Sequence, residues 1–416
     1  MLDIRFIREN AELVEKKAEQ KGYKINIKHL LQLDEDRRRL LAEIEATRAQ
    51  RNELAEQLKD KKPTEEDLVK GQGFKKKLKE LELELDPVET EFNMLLASVP
   101  NVFPDDTPLG GEENNREEKK WGDTAEKDFE VIDHLTWGEQ HGLIDFERGA
   151  KVAGNKFYFL KSDLVELEMA LLQFSLGLAK KHGFWLMSVP HMVNTRILEG
   201  AGFSARGKEK QVYKIEDEDL NLIATAEIPL TGFFADEILP GAWLPSKMAA
   251  WSPAYRVEGG AYGKHNRGLY RVHQFNKVEL YVLCLPKDSE DWHQKLLKLE
   301  EELCQTLEIP YRIVQIAAGD LGAPAYKKFD VEYFTPVDKT YRELMSCSNV
   351  TDYQARRLDI RHKDEQDNTQ FVHTLNATLA ATSRLLIAII ENHQDKDGKV
   401  KIPKALQSYM HGQTTI

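Results

Sequence analysis

The sequence predicts an α+β protein, in which an antiparallel sheet flanked by helices follows an N-terminal antiparallel coiled-coil arm. Two observations lead to this fold class. Apolar residues recur at heptad spacing through residues 28–100, and short β-like runs follow one another over residues 210–281 without helical stretches between them. Helical patterns flank these runs near residues 164–182 and 288–306. Consecutive strands that lack crossover helices favour an antiparallel sheet over a doubly wound parallel one.

The composition is that of an ordinary globular protein of two or three domains. The chain has 416 residues, of which 41% are hydrophobic and 31% charged, and its formal net charge is −12. It lacks a run of about 18 uncharged apolar residues and a signal-peptide core, so we expect a cytoplasmic protein without a membrane span. The cysteines, Cys284, Cys304 and Cys347, are too widely spaced for a disulfide framework or a zinc site.

Two heptad runs predict the arm. In the first, six of nine seam positions between residues 30 and 58 are apolar. In the second, all the seam positions are apolar: Phe74, Leu78, Leu81, Leu85, Val88, Phe92, Leu95 and Val99. Two helices that each bury one seam form an antiparallel hairpin when a turn joins them. Pro63, Gly71 and Gly73 are expected to mark that turn, and Pro87 to kink the second helix or break its register.

The arm has two candidate uses. Arg37, Arg38, Arg48 and Arg51 are candidates for contacts with nucleic-acid phosphates, although residues 30–62 contain eight cations and eight anions. A coiled coil can equally serve for dimerisation. Residues 101–122 are polar and rich in turn formers, and we expect a linker there, between an N-terminal domain (1–100, with the arm at about 28–100) and a larger domain (123–416).

Candidate chemistry is concentrated in one predicted hairpin, AYRVEGGAYGKHNRGLYRVHQFNKVELY, at residues 254–281. Strand alternation gathers five of its side chains on one surface: Arg256, Glu258, Arg271, Phe275 and Glu279. Guanidinium groups bind phosphate oxygens, an aromatic ring stacks on a base, and a carboxylate holds an ammonium group or Mg²⁺. The spacing of a P-loop is absent. Taken alone, the pattern could equally be that of an exposed hairpin with several ion pairs.

Two further segments strengthen the nucleotide-site interpretation. Residues 373–394 predict a helix whose apolar stretch carries one charge, Arg384, which either reaches the surface or supplies a cation to a pocket. Residues 341–357 place Glu343 and Ser346 in a strand-like context, and their oxygens would suit Mg²⁺. Together with the hairpin, these residues supply the groups that a nucleotide and an amino acid need.

Over nearly its whole length the chain resembles the bacterial type of seryl-tRNA synthetase, a family of class II aminoacyl-tRNA synthetases. The resemblance lies in the helical arm, in Trp121–Gly122 at the end of the linker, and in five strings: TAEIPL (225–230), YRVEGGAYGKHNRGLYRVHQFNKVE, ELMSCSNVTDYQARR, HTLNATLAATSR and KIPKALQSYM. It implies the antiparallel class II synthetase sheet and a serine–tRNA ligase that activates L-serine with ATP. It also implies a homodimer, with residues 165–200 near its interface.

The resemblance also implies site residues. The catalytic cations would be Arg256, on the ATP α-phosphate, and Arg384, on the γ-phosphate. ATP would contact Arg256, Val257, Glu258, Arg271, Val272, Phe275, Glu343, Leu344, Met345, Ser346 and Arg384. Serine would contact Thr225, Ala226, Glu227, Arg256, Glu279, Asn376 and Thr378. Glu343 and Ser346 would hold Mg²⁺ with ATP, and the arm would grip tRNA(Ser), with tRNA(Sec) a further candidate.

The chain departs from the family pattern at five positions: Ala224, His265, Met345, Ala377 and Ser383. The charged positions of the pattern are all retained, so the implied chemistry stands. Two rival functions remain open at this stage. One is a synthetase-like paralogue that charges a carrier protein, which would have no use for the arm. The other is a non-catalytic coiled-coil RNA-binding protein, which would leave Arg256, Glu279, Glu343 and Arg384 unexplained.

Overall fold

A computed structural model describes residues 1–60, 62–204, 211–258, 267–364 and 366–416. The chain divides into two compact units, residues 1–102 and 103–416. His265 and the predicted loop glycines Gly259, Gly260 and Gly263 lie outside the described residues. In the described part of the chain, no helix is both long and apolar enough to span a bilayer.

The helices of the described residues are α1 (Ile4–Glu9), α2 (Ala11–Gln20), α3 (Ile27–Gln57), α4 (Glu65–Ser98), α5 (His134–Gln140), α6 (Phe146–Ala153), α7 (Asp163–Lys181), α8 (Thr195–Gly200), α9 (Glu227–Gly232), α10 (Ser289–Thr306), α11 (Tyr353–Leu358), α12 (Thr382–Asn392) and α13 (Lys404–Gln407). The strands are β1 (Arg116–Trp121), β2 (Ile144–Asp145), β3 (Phe159–Leu160), β4 (Trp185–Ser188), β5 (Met192–Val193), β6 (Asn221–Leu222), β7 (Ile238–Leu239), β8 (Ser246–Tyr255), β9 (Gln274–Cys284), β10 (Tyr311–Gln315), β11 (Lys327–Thr335), β12 (Thr340–Thr351), β13 (Arg361–Lys363), β14 (Thr369–Phe371) and β15 (His373–Ala381).

The first unit contains the predicted pair of long helices. The cross-helix pairs His29–Glu91, Arg37–Glu89 and Arg48–Glu82 show that α3 and α4 run antiparallel. Between them lies a seam of buried apolar residues: Leu40, Ile44, Leu78 and Leu81. The heptad pattern therefore predicted the arm correctly, because each helix has a single apolar stripe to bury.

The turn of the arm is shorter than the sequence suggested. A capping box starts α4, with Thr64 accepting from the Asp67 N–H and Asp67 accepting from the Thr64 N–H, so Gly71 and Gly73 lie inside the helix. The helix also continues through Pro87. Pro87 is exposed, whereas Leu85 and Val88 pack against the seam, so the apolar register does not break there.

The second unit is built on an eight-stranded sheet of the described residues, in the order β1-β10-β11-β12-β15-β9-β8-β4. The pairings are antiparallel except for β4 with β8, which is parallel. Helices α7, α10 and α12 contribute buried residues such as Leu171, Leu303 and Leu386 to one core with the sheet. This confirms the predicted α+β class, an antiparallel sheet flanked by helices.

Three local expectations were wrong. Residues 373–394 are not one helix, since His373–Ala381 form strand β15 and α12 begins only at Thr382. β15 lies between β12 and β9 and is buried along almost its whole length, so it lacks the alternation that marks a half-exposed strand. The expected linker 101–122 includes the exposed edge strand β1, whose charged sequence is typical of sheet edges. Within the β-like run of residues 220–230, Glu227 begins α9 instead.

Candidate active site

The predicted hairpin strands are present and place a cation against a ring. β8 and β9 pair antiparallel, with Ala254 opposite Phe275 and Ala250 opposite Glu279. The Arg256 guanidinium lies 5.3 Å from the centre of the Phe275 ring, and its Nε donates to the Ala224 carbonyl at 3.3 Å. Burial, and then the neighbouring Arg384, lower the pKa of Arg256. The two cations therefore lie close enough for their charges to interact.

A cavity of about 400 Å³ opens beside this cation. Its lining includes Arg256, Val257, Glu258 and Arg271, four of the residues predicted for ATP. Arg271 Nη1 lies 3.3 Å from the Glu258 carboxylate, so the last described residues before the loop are tied to the first residues after it. Val272, by contrast, is almost fully buried and is absent from the lining of the cavity.

A β-bulge on β12 brings Glu343 and Ser346 to one face of the sheet. Glu343 pairs with Glu332 and Met345 with Val331, so Leu344 is the extra residue of the bulge. Ser346 pairs with Asp330, and Glu332 and Asp330 are two residues apart on β11, which puts their partners on the same face. Leu344 and Met345 are buried on the other side. The sequence spacing of three would otherwise have placed Glu343 and Ser346 on opposite faces.

Glu343 is held by Arg384 at the start of α12. Arg384 Nη1 lies 3.0 Å from the Glu343 carboxylate, and the guanidinium lies 4.8 Å from the centre of the Tyr270 ring. Burial opposes ionisation, but the cations Arg384 and Lys328 outweigh it and lower the pKa of Glu343 to about 2. Glu343 is therefore an anion at neutral pH. Its carboxylate and the Ser346 hydroxyl are the hard oxygen donors that Mg²⁺ prefers.

A second polar cluster lies between β9, β15 and α9. Lys277 Nζ is 2.5 Å from the Glu279 carboxylate and donates to the Thr225 hydroxyl at 3.1 Å. That hydroxyl donates to Glu279 at 3.2 Å and accepts from the Glu227 N–H. Thr378 pairs with Glu279 on the neighbouring strand. These residues are buried, so a charged ligand would be held without competition from bulk water.

Glu227 is a carboxyl of this cluster that two side-chain amides hold. Gln354 Nε2 and Asn376 Nδ2 donate to its carboxylate at 2.8 and 3.1 Å. Burial, and then the nearby Glu279, raise its pKa to about 7, which Lys277 and Gln354 only partly oppose. Ala226, which precedes it, is fully buried and offers only its backbone.

Two members of the site were missed from the sequence. Gln354 is buried on α11, where it accepts from the Tyr281 and Thr374 hydroxyls and donates to Glu227. No pattern distinguishes it from a surface glutamine. Lys277 could have been found, because strand alternation puts it on the face of Phe275 and Glu279. Its buried pair with Glu279 is visible only in the fold.

The arginines predicted for tRNA are spread along the arm. Arg37 and Arg48 pair with Glu89 and Glu82 of α4 at 2.9 Å. Arg38 pairs with Asp34 at 3.2 Å, and Arg51 Nη2 donates to Asn52 at 3.4 Å. Phosphates would have to replace these partners. Among the described residues, no group of three or more His, Cys, Asp or Glu is placed to hold a metal ion.

The antiparallel sheet, with the cations Arg256 and Arg384 close together beside it, defines a class II aminoacyl-tRNA synthetase, and a family model agrees. The tRNA synthetase class II core domain (G, H, P, S and T) matches residues 212–393. The Seryl-tRNA synthetase N-terminal domain matches residues 1–103. The serine–tRNA ligase of Dictyoglomus turgidum is 45% identical over 416 residues, covering 99% of this chain and 98% of the relative. That of Rubrobacter xylanophilus is 43% identical over 414 residues, with 99% and 98% coverage.

Solved structures agree with the sequence relatives. The seryl-tRNA synthetase of Pyrococcus horikoshii complexed with ATP matches with a TM-score of 0.92 and 40% identity, covering 100% of this chain and 99% of that one. The cytoplasmic serine–tRNA ligase of Naegleria fowleri in complex with AMP matches with a TM-score of 0.86 and 30% identity, with 100% and 98% coverage. The chain belongs to the seryl-tRNA synthetase family. This confirms the predicted enzyme class, a serine–tRNA ligase.

Proposed function

We propose that the two polar clusters on β8, β9, β12 and β15 are the ATP and serine sites of this ligase. The observation that carries the proposal is their adjacency on one sheet. The cations Arg256 and Arg384 lie beside Glu343. The buried Lys277–Glu279 pair begins two residues after Phe275 on β9. A nucleotide triphosphate needs the first group, and an amino acid needs the second.

ATP would lie with its adenine on Phe275 and its α-phosphate at Arg256. Arg384 would meet the γ-phosphate, and Arg271, Val257 and Glu258 would line the same cavity. Val272 and the backbone of Leu344–Met345 would pack behind the nucleotide. The Arg256 guanidinium lies 5.3 Å from the centre of the Phe275 ring, so the proposed contacts with the base and the α-phosphate are adjacent.

Mg²⁺ would be held with ATP by Glu343 and Ser346, which the β12 bulge brings to one face. The residues fit the ion, since both offer hard oxygens and Glu343 is ionised throughout the neutral range. When bound, Mg²⁺ supplies charge neutralisation at the phosphates. Replacing Glu343 by Gln should raise the Mg²⁺ concentration needed for half-maximal activity. An unchanged requirement would remove Glu343 from the set.

Serine would be held by its ammonium group and its hydroxyl. Glu227 and Glu279 offer carboxylates, and Thr225, Asn376 and Thr378 offer uncharged polar groups near them. A buried site that hydrogen-bonds a substrate hydroxyl rejects the analogue without it by about 10⁴–10⁵-fold. Alanine is therefore the natural test of selectivity.

The reaction follows in two steps. The serine carboxylate attacks the α-phosphorus of ATP, a carboxylate–phosphorus bond forms, and the bond to pyrophosphate breaks. Since the carboxylate is ionised at neutral pH, no protein base is needed. Arg256 and Arg384 would stabilise the charge that develops on the phosphates. A terminal ribose hydroxyl of the tRNA then attacks the activated carbonyl. An ester bond forms, the bond between the carbonyl and the phosphate oxygen breaks, AMP leaves, and a phosphate oxygen of the substrate takes the hydroxyl proton.

We propose that residues 1–100 form a tRNA-binding domain with its arm at 28–100. The catalytic domain would include the whole second unit, residues 103–416, instead of beginning at the expected residue 123, because β1 belongs to its sheet. The arm would bind the backbone of tRNA(Ser) through Arg37, Arg38, Arg48 and Arg51, and tRNA(Sec) is a second acceptor to assay. Deleting residues 30–97 should leave serine activation intact and abolish tRNA charging. Charging that survives the deletion would contradict the role of the arm.

We also propose a cytoplasmic homodimer. Apolar side chains of α7 and β4 are exposed in the single chain, among them Met169, Trp185 and Leu186. A second copy would cover them, since exposed apolar patches of this kind mark interaction sites. Sedimentation equilibrium of the wild type and of Trp185→Lys checks this. A monomeric wild type would contradict the proposal.

Serine-dependent exchange of pyrophosphate into ATP tests the activation step directly. We expect exchange with serine, and about 10⁴-fold less with alanine. Absence of exchange would contradict every activation function. Exchange without tRNA charging would favour the carrier-protein paralogue, and tRNA binding without exchange would favour a non-catalytic RNA-binding protein.

A further inference from the structure

A buried histidine on α5 contacts the far end of the hairpin loop. His134 is 4% exposed. Its Nδ1 lies 2.9 Å from the Glu391 carboxylate, and its Nε2 accepts from the Leu269 backbone N–H at 3.2 Å. Because a backbone N–H can only donate, Nε2 is the acceptor nitrogen and Nδ1 carries the proton toward Glu391. The tautomer is thereby defined by its two neighbours.

The anchor of this histidine is itself held. Glu391 on α12 is 2% exposed and accepts from the Thr335 hydroxyl at 2.7 Å and from the His134 backbone N–H at 3.2 Å. α12 is also the helix that carries Arg384 in its first turn. His134 therefore joins the end of the arginine helix to the short turn Gly268–Tyr270.

The close fit at Gly268 shows how tightly the histidine and the turn are packed. Gly268 has φ = +64°, and a Cβ built on it would lie 2.3 Å from His134 Nε2. Glycine is needed at such a position both for the backbone conformation and for the space. The turn therefore rests directly on the imidazole ring.

The turn carries two residues that face the proposed ATP site. The Tyr270 ring lies 4.8 Å from the Arg384 guanidinium, and its hydroxyl donates to the Glu343 carbonyl at 3.4 Å. Arg271 follows and pairs with Glu258. A displacement of the turn would move both, whereas Thr225, Glu227 and Glu279 lie on other elements.

We infer that His134 is a positioning residue for ATP binding: its Nε2 holds the Leu269 N–H so that Tyr270 covers Arg384 and Arg271 meets Glu258. The inference rests on the proposed ATP site. His134 contacts neither ATP nor serine in this assignment, so it acts through the turn. A histidine that only stabilised the fold would affect both substrates alike.

Two amide substitutions separate the two ends of the imidazole. The side-chain amide of His134→Asn reaches the place of Nδ1 and retains the contact with Glu391, whereas that of His134→Gln reaches the place of Nε2 and retains an acceptor for Leu269. In pyrophosphate exchange, His134→Asn should raise the KM for ATP about tenfold, the effect of losing one buried hydrogen bond. The KM for serine should stay within about twofold, and His134→Gln should restore most of the ATP affinity. His141→Leu, at the exposed C-cap of the same helix, is the control: it loses a contact with the Trp137 carbonyl, remote from the turn, and should leave both KM values unchanged.

Three results would overturn the inference: equal effects on the ATP and serine KM values, equal defects in the Asn and Gln variants, or a more severe defect in Gln than in Asn. Should His134→Asn fail to fold, Gly268→Ala, which forces a methyl group onto Nε2, must show the same selective loss for ATP. Wild-type enzyme without serine-dependent exchange would instead contradict the proposed function. The two failures are therefore distinguishable.

Discussion

The arm and the sheet both contain pairs of a cation with a glutamate, but in different surroundings. In the arm, Arg48 and Glu82 lie 2.9 Å apart with side chains 53% and 51% exposed. On the sheet, Lys277 and Glu279 lie 2.5 Å apart at 7% and 1%. Exposed pairs contribute about 0–1 kcal/mol, whereas breaking a buried one costs about 3–5 kcal/mol because it leaves a buried charge unpaired. The difference suits the two proposed tasks, since arm cations would exchange protein partners for phosphates and sheet charges would stay in place.

Burial in the second unit also makes residues of the same type chemically different. Although burial disfavours the charge of both, Arg384 and Lys328 lower the pKa of Glu343 to about 2. Glu227, also buried, has Glu279 close by, and its pKa is raised to about 7. One carboxyl is a permanent anion and the other titrates near neutrality.

The largest effect is expected for the sheet cation Arg256. Arg256→Ala should lower kcat/KM for pyrophosphate exchange by about 10²–10³-fold or more, because one preorganised charge on the reacting phosphate is lost. Thermal unfolding should show a folded protein. Arg196→Ala, which removes an exposed pair with Asp236, is the control and should retain exchange. Near-normal exchange by Arg256→Ala would refute its role.

A smaller effect is expected from the titration of Glu227. With a pKa of about 7, its carboxyl is charged above pH 7 and neutral below. If the carboxylate holds the serine ammonium group, kcat/KM for serine should rise about tenfold from pH 6 to pH 8, the change in the ionised fraction of one such group. Glu227→Gln should remove this rise and lower kcat/KM. A wild-type profile that is flat, or one that falls with pH, would contradict the assignment.

A buried carboxyl on α10, that of Glu300, tests how burial affects the stability of the fold. Both oxygens of Glu300 are buried without a hydrogen-bond partner among the described residues, and burial raises its pKa well above the usual value. A raised folded-state pKa means that stability is present below the unfolded-state pKa of about 4.3 and is lost as pH rises above it. Glu300→Leu should therefore increase the free energy of unfolding at pH 8 by about 1–3 kcal/mol.

Urea unfolding at pH 5 and pH 8 measures this effect. The gain from Glu300→Leu should be larger at pH 8. Glu302→Leu on the same helix is the control. Because Glu302 pairs with Lys181, this variant should be less stable than the wild type. Destabilisation by Glu300→Leu at pH 8 would show that the carboxylate has a partner in solution.

The smallest effect is expected in the arm. Arg48→Ala should change the free energy of unfolding by less than about 1 kcal/mol, because its pair with Glu82 is exposed. It should nevertheless weaken tRNA binding and reduce the salt slope of binding by about one. Glu82→Gln, which frees Arg48, should tighten binding slightly. A stability loss as large as that of a buried pair would erase the contrast with the sheet.

Strand and helix periodicity predicted the parts of the fold whose side chains face two different environments. The arm helices each have one apolar stripe, and β9 carries Phe275, Lys277 and Glu279 on one face. β15 escaped prediction because it is buried on both faces and has no alternation. β1 escaped because its charged residues form an exposed edge whose pairing depends on the distant β10.

The site divides in the same way. Arg256, Phe275 and Glu279 could be grouped from the hairpin alone, because two paired strands relate them locally. Glu343 and Ser346 were candidates by residue type, but their common face depends on a bulge that only the pairing with β11 reveals. Gln354 and His134 gave no signal, since their partners Glu227 and Glu391 are more than a hundred residues away in sequence.

By itself the sequence determined the α+β class, the arm, the hairpin and the family, because heptads, strand alternation and ordered motifs are local properties of the chain. Only the tertiary structure decided which charges are buried and therefore what they do. Ionisation and pair strength depend on the dielectric and on neighbours from distant segments. Glu227, Glu300 and Glu343 are the same residue type in the sequence. Burial with different neighbours separates them into a titrating group, an acid whose pKa is raised well above its usual value, and a permanent anion.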